Sequence, residues 1–379
     1  MTFNLLAAGS RKTYALLTFD PASHSLTLIK ESPAPANSSW LEQPKVKLLT
    51  DAGQVAYADS EDDGLVVALE IDVQGQILVR SERKTHGDTA HVHCLKDGSG
   101  VVSANYIGGT VIFHPTDPST GLLLKESESP PLSFPYPYED REPPNKDRQE
   151  ANHLHQVVEG EVGKLYCPDL GADRIWIVQR KGPSSLELTG WLQCPAGSGP
   201  RHVVISADGS RLYAIGEMSH NVFAFDLTDR SLPLNPIPNF SVNVIPPTVP
   251  ASHQTLMDSA EIAFHPIFNN TLYVSNRWEL RIQEREPYLD PLPERQPGDA
   301  IAIILLGPDG TTVDQLIHLR TELDVIRGLQ ITPDGKYAAV GGQEGGGIAI
   351  YEIRGARGEE WVKVAEDKSV VGVKDFLWL

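Results

Sequence analysis

Residues 199–217, GPRHVVISADGSRLYAIGE, form the unit on which the fold prediction rests. Two apolar runs, HVVI and LYAI, flank the dipeptide Asp208-Gly209. Between apolar runs, Asp-Gly favours a two-residue type I′ turn because glycine tolerates positive φ, so the unit predicts a β-hairpin. An antiparallel pair returns the chain to the side on which it entered. We therefore expect Arg201 and Glu217 at the same end of this hairpin.

Related units recur along the whole chain, each with period-two apolar strands separated by turn residues and without a helical period. Seven such units fit into 379 residues, which gives roughly 54 residues per unit, and a four-stranded propeller blade needs roughly 40–50. The sequence therefore predicts an all-β fold, a seven-bladed β-propeller with four-stranded antiparallel blades. We expect residues 1–379 to form a single domain, with the ring closed by pairing of N-terminal and C-terminal strands.

A proline-rich stretch at about 126–150 interrupts this repeat. It has no periodicity, and the same repeat resumes directly after it, which favours a long loop insert over a linker between domains. Its aromatic residues Phe134, Tyr136 and Tyr138 could pack it over a mouth of the molecule. A surface loop without function is the alternative.

The composition excludes several classes of function. A net charge of −18 argues against nucleic acid and against an anionic membrane surface as partners. The sequence shows no basic leader and no run of ~20 apolar residues, so we expect a cytoplasmic protein. The three cysteines, Cys94, Cys167 and Cys194, lack metal-ligand spacing and are expected to be buried and reduced. HExxH, GxSxG and EF-hand patterns are absent from the sequence, so we predict neither a metal nor a cofactor.

Aligning the units by their turns places unlike polar residues at two repeated positions. Arg201 and Arg327 each precede a turn glycine by eight residues, and His155 occupies this position in the fourth unit. At the second position, Glu217 and Gln343 each follow the turn glycine by eight residues. Arg277 holds this position in the sixth unit, because it follows LYVSN as Glu217 follows LYAIG. Because the inner strands of a propeller surround a channel, we expect all six side chains at one mouth.

Each candidate also has a structural interpretation. Arg201 and Glu217 could form a salt bridge within one hairpin, His155 could be a core histidine, and Arg277 could form a surface pair with Glu279. Arg327 and Gln343 could be packing or hydrogen-bonding residues. Function is favoured because a purely structural repeat would tend to keep one residue type at each position. Arg, His and Glu together suit a carboxylate or phosphate ligand that needs proton transfer.

The stretch PDLGADRIW, residues 168–176, predicts a turn around Gly171. Asp169 and Asp173 flank this glycine and can accept hydrogen bonds from backbone amides. These two carboxylates could instead belong to a site, but the turn favours a structural role.

Four stretches together resemble the seven-bladed propeller lactonase family: GPRHVVISADGSRLYAIGE, LYCPDLGADRIWIV, LYVSNR and RGLQITPDGKYAAVGGQ. This family includes bacterial 6-phosphogluconolactonases and a fungal 3-carboxy-cis,cis-muconate lactonizing enzyme. The match is weaker before residue 85, where the segment Thr50-Asp51-Ala52-Gly53 replaces the usual turns. The resemblance implies a cofactor-independent enzyme with its site in the propeller mouth. The family's catalytic positions correspond here to His155, Arg201, Glu217 and Arg277; substrate contacts are expected from Arg327, Gln343 and His91.

The resemblance and the residue types suggest hydrolysis of a small acidic sugar lactone. In this hypothesis neutral His155 activates a water, Arg201 stabilises the oxyanion, Arg277 holds the phosphate or carboxylate, and Glu217 orients an arginine or passes a proton. A carboxymuconate-type lactonizing cyclase, a calcium-dependent gluconolactonase-like propeller and a non-catalytic binding propeller are the alternatives. The expected partner is a small anionic lactone or carboxylate, bound by a monomer or weak homo-oligomer.

Overall fold

The computed structural model describes residues 2–44, 49–50, 53–125, 129–182, 185–292 and 294–379. Most of its regular structure is extended. The first fifteen strands are β1 (Phe3–Gly9), β2 (Thr13–Asp20), β3 (Ser25–Pro33), β4 (Leu41–Glu42), β5 (Leu49–Thr50), β6 (Gly53–Ser60), β7 (Leu65–Asp72), β8 (Ile77–Lys84), β9 (Thr89–Cys94), β10 (Gly100–Asn105), β11 (Thr110–Pro115), β12 (Leu132–Ser133), β13 (Val158–Glu159), β14 (Lys164–Asp169) and β15 (Arg174–Lys181). The remaining strands are β16 (Ser185–Gln193), β17 (Pro200–Ile205), β18 (Arg211–Gly216), β19 (Asn221–Asp226), β20 (Ser241–Asn243), β21 (Asp258–Phe264), β22 (Thr271–Arg277), β23 (Ala300–Leu306), β24 (Val313–Arg320), β25 (Asp324–Ile331), β26 (Tyr337–Gly345), β27 (Ile348–Arg354), β28 (Glu360–Asp367) and β29 (Val373–Trp378).

Helical segments are few and short in the described ranges. They are α1 (Ala251–Gln254), α2 (Ile282–Arg285) and a 3₁₀ turn at Glu279–Arg281. None of the helices in these ranges has the length and apolar character needed to cross a membrane. The described chain is therefore built almost wholly from strands.

The strands form seven antiparallel sheets in the described residues, which confirms the predicted seven-bladed β-propeller with four-stranded antiparallel blades. Numbered along the chain and written from the innermost strand outward, the blades are β29-β1-β2-β3, β4-β6-β7-β8, β9-β10-β11-β12, β13-β14-β15-β16, β17-β18-β19-β20, β21-β22-β23-β24 and β25-β26-β27-β28. Strand β5 adds a short fifth strand to blade 2 by pairing with β6. The ring closes as expected, because β29 pairs antiparallel with β1.

The core consists of apolar clusters between neighbouring blades. Strands in the middle of a blade are buried on both faces, as in β23, whose seven residues AIAIILL are all buried. Outer strands such as β16 alternate between more and less exposed residues along most of their length. Between blades 7 and 1, for example, Ile350 packs with Leu17 and Phe376. Burial on both faces explains the continuous apolar runs, and stacking of blades around a ring makes each blade depend on two neighbours.

The hairpin in blade 5 is confirmed, but its predicted two-residue type I′ turn is wrong. Strands β17 and β18 are joined by residues 206–210. Gly209 has a positive φ of 71°, whereas Asp208 is not among the residues with positive φ. The Gly209 amide donates to the Ser206 carbonyl (2.8 Å), and Asp208 Oδ1 accepts from the Ser210 amide (3.0 Å). The Asp-Gly pair therefore lies inside a five-residue loop, where only the glycine needs the left-handed region.

The insert is defined here as residues 129–150, because residues 126–128 lie outside the described ranges. The prediction that this stretch is only a loop is corrected, since its strand β12 is the outer strand of blade 3; the rest packs on blade 4. The Phe134 ring stacks on Trp176 with 5.3 Å between centroids, and Tyr138 donates a hydrogen bond of 2.6 Å to Asp173 Oδ2. Tyr136 donates to the carbonyl of Gln149. Phe134 and Tyr138 thus fix the insert to blade 4, whereas Tyr136 joins two parts of the insert.

The segment PDLGADRIW has the structural role that the sequence favoured. Asp169 Oδ1 accepts from the His153 amide (2.7 Å) and the Ala172 amide (3.1 Å). Asp173 accepts from the Gly197 and Gly199 amides at 2.7 and 2.8 Å. All three cysteines are buried and free, as expected. The segment Thr50–Gly53 includes residues 51 and 52, which lie outside the described residues.

Candidate active site

Irregularities of the inner strands bring polar side chains to the channel. The pairing of β17 with β18 shifts between Pro200 and His202, so Arg201 lies in a β-bulge. A similar shift in β25, between Ile326 and Leu329, contains Arg327. A bulge inserts an extra residue into one strand and changes the direction of its side chain. The predicted repeat position of these arginines is therefore a place where the regular ladder is broken.

Two cavities lie along the channel, because residues from blades around the ring line both. The narrow cavity has a volume of about 240 Å³ and is lined by Glu61, Asp88, Ala90, Tyr106, Arg148, His155, Glu217, Arg277 and Arg327. The wide cavity has a volume of about 900 Å³, and Trp40, Glu42, His91, His93, Glu159 and Glu261 are among its lining residues. On β9, Ala90 faces the narrow cavity while His91 and His93 line the wide one.

Glu217 is the centre of an ion-pair cluster beside the narrow cavity. Its Oε2 lies 2.9 Å from Arg201 Nε and 2.9 Å from Arg277 Nη2, and its Oε1 pairs with Arg148 Nη2. Burial alone would raise the pKa of the Glu217 carboxyl, but Arg277, Arg148 and Arg201 together hold it well below its usual range. Three guanidinium groups against one carboxylate leave two positive charges in excess.

A second ion-pair cluster lies on the opposite wall. Glu61 pairs with Arg327 Nη2 at 2.6 Å and with Lys374 Nζ at 2.9 Å. Burial opposes ionisation of Glu61, yet these two cations lower its pKa to about 2. This cluster adds one positive charge in excess, while Asp88 adds one negative charge to the lining. The narrow cavity is thus a local region of positive charge in an acidic protein, which suits an anionic ligand.

His155 lies at this cavity as a neutral imidazole. Burial, with the charges of Arg201 and the neighbouring His202, holds the pKa of His155 well below its ordinary value. Its backbone amide donates to the Pro168 carbonyl (3.0 Å), which fixes the main chain. Within the described part of the chain, its Nδ1 is buried and has no hydrogen-bond partner. A neutral imidazole next to bound substrate can accept a proton.

Further polar groups continue from His155 into the channel. The His202 ring lies 5.1 Å from the His155 ring between centroids, and its Nδ1 is 3.0 Å from Glu261 Oε1. Burial raises the pKa of Glu261 to about 8. His91 packs on Trp40 with 4.2 Å between ring centroids. In the described ranges, no group of three or more His, Cys, Asp or Glu side chains is placed to hold a metal ion.

Of the predicted site residues, His155, Glu217, Arg277 and Arg327 line the narrow cavity. Arg201 belongs to the same cluster but lies behind Glu217, where its Nη1 donates to the Ala260 carbonyl (2.8 Å). The expectation that Arg201 contacts the reacting carbonyl is therefore corrected. Two of the structural alternatives can be compared with the ion pairs: Arg201 does form the hairpin salt bridge with Glu217, whereas Glu279 pairs with Arg320 rather than with Arg277.

Two predicted substrate contacts lie elsewhere. Gln343 is outside the narrow cavity, and its amide donates to Glu344 Oε1 at 2.9 Å. The register of β25 on β26 shifts twice, between Asp324 and Leu329, so counting eight residues from the turn does not reach the same place as in blade 5. His91 lines the wide cavity. The expectation that Gln343 lies with the arginines at one mouth is therefore wrong, whereas the predicted substrate contact of His91 stays a prediction.

The sequence analysis also missed residues that line the narrow cavity. Glu61 follows β6 and Tyr106 follows β10 directly, as Glu217 follows β18. Extending the second repeat position to blades 2 and 3 would have found both. Arg148 comes from the insert and has no counterpart in the repeat, so aligning the units could not find it.

These features define a class of protein: a propeller with a small, positively charged cavity that holds a neutral imidazole. The sequence matches the family described as "Lactonase, 7-bladed beta-propeller" over residues 6–369, and the chain belongs to this family of seven-bladed lactonases. Lactonases are carboxylic ester hydrolases that open cyclic esters.

Known proteins similar to this chain share its length and fold. A 6-phosphogluconolactonase of Formosa agariphila is 24% identical over 340 residues, which span 88% of this chain and 86% of that protein. The structure of a Lactobacillus plantarum protein has a TM-score of 0.80 at 20% identity and covers 100% of both chains. The periplasmic gluconolactonase of Pseudomonas aeruginosa has a TM-score of 0.77 at 18% identity, covering 100% of this chain and 99% of that one.

Proposed function

We propose that this lactonase hydrolyses a small anionic sugar lactone, of the 6-phosphogluconolactone type, in the narrow cavity and without a cofactor. The observation that carries the proposal is that neutral His155 lines one cavity of about 240 Å³ together with Arg148 and Arg277, two of the arginines that pair with Glu217. This volume lies below the roughly 300–1,000 Å³ of typical ligand pockets, which favours a small substrate. The name of the Formosa relative, a 6-phosphogluconolactonase, supports the same substrate class.

In the proposed reaction His155 is the general base. It removes a proton from a water molecule whose oxygen attacks the lactone carbonyl carbon. The resulting tetrahedral intermediate collapses with cleavage of the bond to the ring oxygen, and protonated His155 returns the proton to that oxygen. The product is a hydroxy acid, which releases its carboxyl proton to solvent. Base and acid roles thus fall to one imidazole, whose low pKa keeps it neutral between turnovers.

Positive charge at the cavity wall stabilises the intermediate. Arg277 is held by Glu217 and by the Ser259 carbonyl (3.3 Å), so its guanidinium has a fixed position at the lining. We assign oxyanion stabilisation to Arg277, because Arg201 lies behind Glu217. Fixed donors contribute most where water is excluded and no reorganisation is needed. Glu217 remains ionised and positions the arginines.

A panel of lactones followed by proton NMR tests this proposal. The substrates are 6-phosphogluconolactone, gluconolactone and a muconolactone, each measured against its spontaneous hydrolysis and repeated with EDTA. We expect enzyme-dependent opening of an anionic lactone at a rate that EDTA does not change. The absence of turnover on the whole panel would contradict the function, and loss of turnover with EDTA would contradict cofactor independence.

A further inference from the structure

Arg148 is the most accessible arginine around Glu217. Its side chain is 33% exposed, compared with 9% for Arg277 and 2% for Arg201. It lines the narrow cavity, and unlike the other two it comes from a loop rather than from a strand. A partly exposed guanidinium at the cavity wall can reach a ligand without uncovering the buried cluster.

Releasing Arg148 leaves no carboxylate unpaired. Glu217 would keep Arg201 and Arg277, each at 2.9 Å. Asp258, whose Oδ1 lies 3.6 Å from Arg148 Nη1, also has Arg285 Nη1 at 3.5 Å from its Oδ2. Leaving a buried charge without a partner is strongly unfavourable, so this redundancy is what allows Arg148 to change partners.

The backbone that carries Arg148 is fixed in advance. Asn145 Oδ1 accepts from the Arg148 amide (3.1 Å), and the Gln149 amide donates to the Asn145 carbonyl (2.9 Å). The buried Gln149 side chain donates to the Leu170 carbonyl (3.0 Å), and Asn145 Nδ2 lies 3.5 Å from the sulfur of Met218, the residue after Glu217. The turn is therefore attached to the neighbouring blades 4 and 5, and only the arginine side chain needs to move.

We propose that Arg148 is the specificity-determining residue of this lactonase: it leaves Glu217 to bind a doubly charged substituent of the lactone, such as a phosphate monoester. This inference rests on the proposed function. The cluster around Glu217 has two positive charges in excess, and a phosphate monoester carries about −1.5 to −2 at neutral pH. Arginine binds phosphate with two parallel hydrogen bonds, which favours the exchange over contact with a neutral hydroxyl.

The test compares Arg148→Gln with Lys146→Gln, a control in the same turn whose cation forms an exposed pair with Glu142. The kcat/KM for 6-phosphogluconolactone is divided by that for gluconolactone in each protein. We expect Arg148→Gln to lower this ratio at least tenfold, mainly through KM of the phosphorylated lactone, and Lys146→Gln to leave it within twofold. Arg148→Lys keeps the charge but loses the bidentate hydrogen bonding, so its ratio should lie between those of wild type and Arg148→Gln. An unchanged ratio in a folded Arg148→Gln protein would overturn the inference.

A binding measurement separates this inference from the proposed function. Isothermal titration with 6-phosphogluconate, gluconate and inorganic phosphate needs no turnover. We expect Arg148→Gln to weaken binding of 6-phosphogluconate and phosphate at least tenfold, and that of gluconate by less. If the wild-type protein opens no lactone but shows this pattern, the proposed function fails and Arg148 remains the anion-binding residue. If both proteins bind 6-phosphogluconate equally, the role of Arg148 fails even where hydrolysis is observed.

Discussion

The wide cavity has a volume of about 900 Å³ and the narrow cavity about 240 Å³, although blades around the ring contribute to both. In the wide cavity, charged groups are satisfied locally: Glu42 pairs with His93 at 3.3 Å, and Glu159 accepts from the Lys96 amide. In the narrow cavity, arginines from the insert, blade 5 and blade 6 meet on one carboxylate. Convergence of buried charge, rather than volume, distinguishes the candidate active site.

The two cavities also differ in the regularity of their walls. Val203 and Ile262 line the wide cavity as residues paired in the strand ladders. The narrow cavity takes Arg327 from a bulge and Arg148 from the insert, and several of its other lining residues directly follow strands, although Arg277 is paired with Asp258 in the ladder. Ladder pairing fixes where a side chain points, so interrupted pairing allows side chains to take other directions.

The largest expected difference between the cavities is catalytic. Replacing His155 by Asn removes the proposed base of the narrow cavity and should lower kcat/KM by roughly 10²–10⁴-fold, the contribution typical of general bases. His93→Asn in the wide cavity is the matched control and should stay within about threefold of wild type, because His93 lies outside the proposed site. Steady-state kinetics on the substrate identified by the panel measures both, with circular dichroism to check folding. Equal losses would remove the distinction between the cavities.

The second largest difference concerns stability. Glu217→Gln leaves three guanidinium groups around an uncharged amide, and removing one partner of a buried ion pair costs about 3–5 kcal/mol in the free energy of unfolding. Glu42→Gln removes a less buried carboxylate that pairs with a histidine, and should cost about 1 kcal/mol or less. Urea denaturation at pH 7 measures the two values. Similar losses would mean that Glu217 contributes no more to the free energy of unfolding than Glu42, although three arginines pair with it.

A third prediction concerns a property that the cavities share. Burial holds the pKa values of His155 in the narrow cavity and His91 in the wide cavity well below normal. Only the unfolded state then takes up protons as pH falls below about 6.5, so the stability that each neutral histidine contributes is present above pH 6.5 and lost below it. Between pH 7 and pH 5, the free energy of unfolding of the wild-type protein should fall by about 2 kcal/mol more than that of His155→Gln or of His91→Gln.

Urea denaturation of the three proteins at both pH values checks this prediction. Each variant is compared with wild type at the same pH, because buried acids also titrate. Glu261, whose pKa is raised to about 8, makes the protein more stable as the pH falls, and the comparison cancels this effect. A pH-independent difference for one of the two histidines would show that its imidazole takes up a proton with the same pKa in the folded and unfolded protein, so that burial does not lower its pKa.

The smallest effect concerns the insert, whose Arg148 lines the narrow cavity. Tyr138→Phe removes one donor from the buried carboxylate of Asp173, which keeps the Gly197 and Gly199 amides. Losing a hydrogen bond to a charged group should lower the free energy of unfolding by about 1.5–3 kcal/mol. We expect a value near the lower end of this range, because Asp173 keeps two backbone donors. Tyr288→Phe is the control, since that side chain is 97% exposed and should give no measurable change. Thermal denaturation of both variants measures these changes, and equal stability of the two variants would contradict the prediction.

The fold could be predicted because its signal is repeated. Each unit carries period-two strands and a turn, so an error in one unit, such as the type I′ turn at Asp208-Gly209, does not affect the count of blades. Within the site, His155, Glu217 and Arg277 follow the same repeat and lie together. Such positions are accessible to sequence comparison within one chain.

The remaining site residues depend on details that the repeat does not encode. Counting residues assumes an uninterrupted ladder, and the shifts in β25 that place Arg327 at the cavity also move Gln343 away from it. Arg148 approaches Glu217 only because the insert folds back on blade 4 through Phe134 and Tyr138. Such a contact joins residues 69 apart in the chain, and nothing in the local sequence specifies it.

Closure of the ring by β29 has a consequence for biosynthesis. A ribosome makes Glu61 313 residues before Lys374, one of the two cations that pair with it. Until β29 emerges, β1 is the innermost strand of blade 1 and presents an unpaired edge, which is the kind of edge that recruits other chains. A nascent chain stalled before Val373 would therefore be both aggregation-prone and short of a cation at Glu61. The ring, and with it the ion pair of Glu61 with Lys374, can therefore be completed only after β29 has been translated.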